Sequence, residues 1–443
     1  MTTPLDVIDD PHVPARSSWT VYLSWLLIIL CVGYIGFRVF QKSKTGSTAM
    51  AAQLELNCRY ILGVTKILPT PPEPLIEGLK KQVAMPVDRL IATPVLAEIG
   101  KKEAAIQYLD ETSLDKLNPA MLKARATLLT IYREGVNGVT KDDALNLENE
   151  LGWSGRLALT WQMPEDSPQR RDVINAAKRT ATTLVAAFVV ILILLGLGVV
   201  MGIVALVLRL TGTIQTRYVP DLPPLAPYVE GFALFLVLYV GTSFIRPVIE
   251  RLGIAGLVLM QLAIMATAFW PLLRGVRWGD YRRAVGWHRG TGVFTEIGCG
   301  FMGYLAGLPI VALGAAITFA LIKFTHAEQP IHPIAGETGG GILGALLLYL
   351  AAAVLAPLME ETLFRGMLYH HVRSKLPWVI SALLVGLIFA SIHPQGWAAI
   401  PVLGSIGFIL AMIREWRGSL IASMTAHALN NGMLITMLIF ATR

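Results

Sequence analysis

The amino-acid sequence predicts an all-α fold, a polytopic transmembrane helical bundle of about eight or nine spans with an inserted soluble α-helical domain. Three observations predict it. Of 443 residues, 54% are hydrophobic and only 15% are charged, against about 25% charged in ordinary soluble domains. The mean hydropathy is +0.58. The apolar residues gather in runs that reach the roughly 20 residues a helix needs to cross the hydrocarbon core. A soluble enzyme is thereby excluded. The 40 glycines and 25 prolines are too scattered for a collagen-like or low-complexity chain. A net charge of +7 in such a chain implies basic cytoplasmic loops and a lipid environment, with no nucleic-acid partner. Cys31, Cys58 and Cys299 are too few for a disulfide framework or a four-cysteine metal site.

The first element, residues 1–45, is an N-terminal segment and membrane anchor. Its apolar run, 19–40, follows Asp6, Asp9 and Asp10 and precedes Arg38, Lys42 and Lys44. That charge order is the reverse of a signal peptide's, so the run reads as a retained anchor. Residues 46–178 change to soluble composition. Stretches 87–110 and 119–132 carry apolar residues at helical spacing, such as Leu122, Ala126, Leu129 and Tyr132. Pro69, Pro71, Pro72, Pro74 and Gly152 divide this soluble helical domain into short helices, plausibly a stack of hairpins without a fixed period. It holds no catalytic constellation, and it reads as a docking or regulatory domain for a protein partner or as a spacer.

Residues 179–228 form a transmembrane helix and linker, and 229–443 form an apolar core. Spans are expected near 181–208, 229–247, 252–273, 294–323, 341–364, 378–393, 398–413 and 419–440. With the anchor this gives about nine crossings. Three basic loops, with Arg274 to Arg289, with Arg365, Arg373 and Lys375, and with Arg414 and Arg417, put the C-terminus outside and the soluble region outside with it. Lys42, Lys44, Lys178 and Arg179 flank that region and argue that it lies inside. The expected location is an integral, multi-pass position in the bacterial inner membrane.

Ionisable residues inside apolar spans are costly and mark function. Three clusters stand out. The first holds adjacent carboxylates Glu360 and Glu361 with Arg365. On a helix Glu361 and Arg365 share a face and can pair, while Glu360 lies about 100° away, free for another partner. The second holds Phe389 and His393, the ring one turn from the imidazole. The third holds His427 and Asn431, which point the same way from an otherwise uncharged span and offer an imidazole and an amide as donors. Headgroup-level pairing, a structural histidine and interhelical hydrogen bonding would each account for one cluster alone. Together they supply a carboxylate and imidazole to deprotonate water and donors for the oxyanion of an attacked peptide carbonyl.

In these three signatures the sequence resembles the CAAX protease and bacteriocin-processing (CPBP) family of intramembrane glutamic endopeptidases, which includes the CAAX prenyl proteases. Glu-Glu-x-x-x-Arg stands at Glu360, Glu361 and Arg365, Phe-x-x-x-His at Phe389 and His393, and His-x-x-x-Asn at His427 and Asn431. The resemblance covers roughly 246–443. It implies that Glu360 and His393 activate a water, that His427 and Asn431 form the oxyanion site, and that Glu361, Arg365 and Phe389 support them. It also implies metal-free chemistry on a membrane-associated or lipidated, CAAX-like protein.

Other readings remain open. Glu360, His393 and His427 are also a hydrolytic zinc set, although no helix carries His-Glu-x-x-His. An ion-coupled transporter would use the same Glu and His as a relay, but the paired repeats of such transporters are not evident. A non-catalytic adaptor or immunity protein would keep the motifs as packing. His370 and His371, adjacent and facing different ways, read as an interface pair; His288, His326 and His332 read as loop residues. The glycines from 339 to 344 open the span of the first motif either as a flexible gateway for substrate or as a close-packing patch.

Overall fold

The computed structural model describes residues 18–42, 48–68, 71–83, 85–100, 102–114, 117–218, 226–245, 249, 251–325 and 341–442. Among these there is no strand, only α-helices with short 3-10 and π segments. The all-α architecture is therefore as the composition predicts. The chain forms two compact units, one of Met1–Ser43, Ile193–Pro330 and Ile342–Met433, the other chiefly Lys44–Leu192 with Leu434–Arg443.

In the second unit α2 (Thr48–Ile67), α3 (Pro72–Gln82), α4 (Pro86–Ile99), α5 (Lys102–Asp110), α6 (Pro119–Glu134), α7 (Lys141–Leu159) and the start of α8 (Pro168–Leu210) are short amphipathic helices. Prolines at the first turn of α3, α4 and α6 start helices without sacrificing a needed N–H. Asn118 Oδ1 accepts from Met121 N at 2.8 Å and caps α6. Their apolar faces close over Leu62, Leu90, Leu109, Leu128, Leu147 and Trp153. Gly152, at φ +55°, bends α7 where a side chain would meet Glu55 Oε2. Among the described residues of this unit the one deeply buried ion pair is bidentate, Arg170 to Glu98 at 2.9 and 2.8 Å.

The first unit contains α1 (Ser18–Lys42), α9 (Ala226–Thr242), α10 (Gly253–Met265), α11 (Trp278–Val285), α12 (Val293–Thr325), α13 (Gly341–Arg373), α14 (Trp378–Ser391), α15 (Ile400–Arg417) and α16 (Leu420–Thr442). Five helices of the described chain are long and apolar enough to cross a bilayer: Trp19–Arg38, Pro168–Leu210, Val293–Thr325, Gly341–Arg373 and Trp397–Arg417. The protein is an integral membrane protein. Five is fewer than the nine anticipated. Ala226–Thr242, Val258–Leu273 and Trp378–Ser391 are apolar but shorter, and α16 is diluted by its histidine and asparagines.

The loop charges also need correction. Arg365 lies inside α13, fully buried, because that helix runs on to Arg373 without ending after residue 364. Arg414 and Arg417 are likewise buried at the end of α15. These three arginines serve interior contacts, whereas Lys375 of the second loop is exposed.

Two features place the site. First, α13 widens to π-type turns over Leu350–Leu355 and Glu361–Leu368, a distortion that frees backbone carbonyls and recurs at functional sites. Second, α14 and α15 approach so closely that a Cβ on Gly407 would lie 2.7 Å from Gly386 Cα. That glycine contact brings the Gly407 carbonyl within reach of α13. Phe232, Phe235, Phe364 and Phe389 fill the space between with edge-to-face ring pairs, centroids 5.0–5.9 Å apart.

Candidate active site

Glu361 sits at the centre of the polar cluster. Its Oε1 accepts from Arg365 Nη1 and bonds His427 Nδ1, each at 2.9 Å. Both Glu361 and Arg365 are completely buried. Burying a carboxylate is tolerable only when it is paired and hydrogen-bonded, and the guanidinium and imidazole provide this. Arg365 Nη2 in turn donates to the Gly407 carbonyl at 3.0 Å, and its guanidinium lies 4.6 Å from the Phe389 ring centroid. Arg365 is thus fixed by α15 and α14 as well as by its own helix.

With Nδ1 engaged by Glu361, the His427 ring turns Nε2 toward Glu360 Oε2, 3.7 Å away. Glu360 differs from its neighbour. Its side chain is 19% exposed, and Oε2 has no hydrogen-bond partner. Adjacent carboxylates in one helix have divided into an embedded one and a more open one. The spacing anticipated the Glu361–Arg365 pair; it did not anticipate that His427 would bond the same oxygen.

His393 lies in the turn after α14. Its Nδ1 is 2.6 Å from the Phe389 carbonyl, which assigns the Nδ1–H tautomer and leaves the Nε2 lone pair available as a base. The Phe389 ring stands 4.3 Å from the His393 ring and 6.0 Å from that of His427, so it links the two imidazoles. Asn431 does not point at the carboxylates; its Nδ2 donates to the Ala352 carbonyl at 2.8 Å. Asn430 Nδ2 donates to Asn431 Oδ1 at 3.1 Å, and Tyr304 donates to Asn430 Oδ1 at 3.2 Å.

The sequence reading passed over Gln261. Its Nε2 donates to the Ala351 carbonyl at 3.2 Å, the residue before the one Asn431 engages. Two side-chain amides from α10 and α16 thus satisfy consecutive carbonyls of the first π segment. Gln261 is a polar residue in an apolar run, the same signal that marked His427, but it stands alone and belongs to no spaced pair. Also unanticipated were the buried pair of Glu296 with Arg417, 2.7 Å, and the cluster in which Glu415 receives Tyr369 at 2.8 Å and Arg373 at 3.1 Å. His370 is buried against the Tyr218 hydroxyl at 2.8 Å and His371 accepts from Trp25 at 3.4 Å, so this pair is interior to its unit. His326, His332, Gly339 and Gly340 lie outside the described residues. Among the described residues no three His, Cys, Asp or Glu side chains are grouped as metal ligands.

Every candidate residue falls within one stretch that matches a known family. Residues 342–433 match the family described as Type II CAAX prenyl endopeptidase Rce1-like. The chain therefore carries an Rce1-like domain over about a fifth of its length, consistent with the family its motifs resemble. Two curated proteins match part of the chain. An uncharacterized 24.3 kDa protein of Escherichia coli is 34% identical over 86 residues, 18% of this chain and 40% of that protein. The uncharacterized protein YpbD of Bacillus subtilis (strain 168) is 36% identical over 77 residues, 17% of this chain and 36% of that protein. The chain thus spans about two fifths of the length of the curated relatives it matches. No solved structure matches.

Proposed function

We propose that the protein is an intramembrane endopeptidase that hydrolyses a peptide bond of a membrane-associated or lipidated, CAAX-like protein. Glu360, with His393, takes a proton from the attacking water. His427, held at Nδ1 by Glu361, turns Nε2 toward the oxyanion, and Asn431, one turn further along the same helix, is the second group of the oxyanion site. Glu361 and Arg365 hold His427 in register, and Phe389 packs the two imidazoles. The observation that carries this reading is the division of labour between neighbouring carboxylates. Glu361 is completely buried with Oε1 shared between Arg365 and His427, whereas Glu360 is 19% exposed and has its Oε2 3.7 Å from His427 Nε2. A base must be within reach of the water it deprotonates, which favours the more open of the two carboxylates. The reaction needs no metal, although Glu360, His393 and His427 are ligand types that zinc accepts. The protein is multi-pass in a cytoplasmic-type membrane, and residues 46–178 dock a protein partner.

The test is cleavage of a membrane-tethered polypeptide by the purified protein in liposomes, with products identified by mass. Cleavage that persists in strong chelator supports the reading. Cleavage lost with chelator and restored by zinc would move the chemistry to a metal. A panel of lipidated and unlipidated substrates left intact by well-folded protein would contradict the peptidase reading.

A further inference from the structure

The connection between Leu273 and Val293 carries a charge pattern that proteolysis does not use. Arg277, Arg282, Arg283 and Arg289 are exposed on or beside the eight-residue α11, and Arg274 stands at its entrance. Among the described residues only Arg274 and Arg283 of these have carboxylate partners, Glu230 at 2.9 Å and Asp280 at 2.6 Å. Beside these arginines Leu273 is 80%, Trp278 49% and Phe294 89% exposed. Tyr281 and Val285 form the opposite, buried face. Exposed arginines interleaved with exposed apolar and aromatic side chains, between two membrane-embedded helices, have the composition of a segment lying in the headgroup layer.

The turn after α11 is bonded to two of the helices that bear candidate residues. The Gly286 carbonyl accepts from Leu420 N, the first residue of α16, at 3.0 Å. Trp287 Nε1 donates to Thr362 Oγ1 of α13 at 3.0 Å. Arg414 Nη2 donates to the Ala284 carbonyl at 2.9 Å, and Ser419 donates to the His288 carbonyl at 2.7 Å. Gly286 holds φ +87° beneath the Arg414 guanidinium, where a Cβ would come within 2.5 Å of Nη1. An eight-residue helix of this kind has little stability of its own and is fixed by these bonds and by what covers its outer face.

We propose that residues 274–294 form a binding surface for anionic phospholipid headgroups, with Arg277 and Arg289 as its principal unpaired cations. Lipid phosphate on these guanidinium groups steadies the 284–288 turn, and through Leu420 and Thr362 it steadies the start of the helix that carries His427 and the π turn of α13 that carries Glu361. The binding does not depend on the peptidase reading and is tested apart from it.

The experiment places the full protein in nanodiscs of phosphatidylcholine with about one third phosphatidylglycerol and measures, by native mass spectrometry, which lipid is retained. Native protein should retain phosphatidylglycerol selectively. The double variant Arg277→Gln/Arg289→Gln should lose about tenfold or more of that preference, while Arg277→Lys/Arg289→Lys keeps most of it and Arg171→Gln, on the soluble unit, keeps all of it. Hydrogen exchange at Leu420 should quicken when phosphatidylglycerol is omitted. No selectivity in the native protein, or selectivity undiminished in the glutamine variant, would overturn the proposal.

Discussion

The two units handle charge in opposite ways. In the Lys44–Leu192 unit most ion pairs stand in water, such as Lys81 with Glu77 and Arg133 with Asp110, and the interior is almost wholly apolar with Arg170–Glu98 the deep exception. In the unit of the candidate site the exposed arginines gather at 274–289, and away from them three ion pairs are interior: Glu361 with Arg365, Glu296 with Arg417, and Glu415 with Arg373. Exposed pairs contribute little to stability. A buried pair is weak evidence for stability, but breaking one strands a charge. A membrane protein that spends so few charged residues and buries them together is using them for geometry.

The sharpest way to break this contrast is Arg365→Met. It leaves Glu361 buried without its cation and should cost about 3–5 kcal/mol, read as a lower thermal midpoint in lipid or detergent, together with loss of cleavage. Arg170→Met should lower the stability of the Lys44–Leu192 unit by a similar amount, without touching the His427–Glu361 bond. If Arg365→Met were as stable as native protein, the interior charges would not be structural keystones.

Gln261→Leu is a milder probe. It removes the amide from the Ala351 carbonyl and should cost about 1–3 kcal/mol. Hydrogen exchange across 350–355 should rise, whereas exchange in α6 stays unchanged. At the small end is His288, outside the spans. Burial, with Arg414 nearby, holds its imidazole below the usual histidine range. The folded protein therefore favours the neutral ring, and the unfolded chain takes up a proton first, near about pH 6.5. His288 Nδ1 accepts from Gly290 N at 3.2 Å, and this bond should be fully effective above that pH and be lost as pH falls toward the folded-state value, seen as faster exchange at Gly290. Smallest of all, Lys123→Ala removes exposed pairing with Asp142 and Asp143 and should leave the melting curve unmoved.

Much of this was legible in the sequence. The apolar runs and the proline and glycine breaks gave an all-α membrane chain, and the Glu361–Arg365 pair followed from four-residue spacing. What could not be read was set by contacts between distant helices. His427 lies 66 residues from Glu361, and no local spacing reports that they bond. The π turns of α13 are visible only once carbonyls are seen turning to Gln261 and Asn431. Arg365 and Arg414 were read as loop charges because composition marks where arginine occurs in the chain and is silent on which arginines are covered by neighbouring helices.

The central claim is that Glu360 reacts and Glu361 positions. Its most direct test measures both cleavage of a membrane-tethered substrate and thermal stability for Glu360→Gln and Glu361→Gln side by side. The account predicts that Glu360→Gln melts as the native protein does and cleaves nothing, while Glu361→Gln loses stability and activity together. Cleavage by Glu360→Gln at the native rate would contradict it.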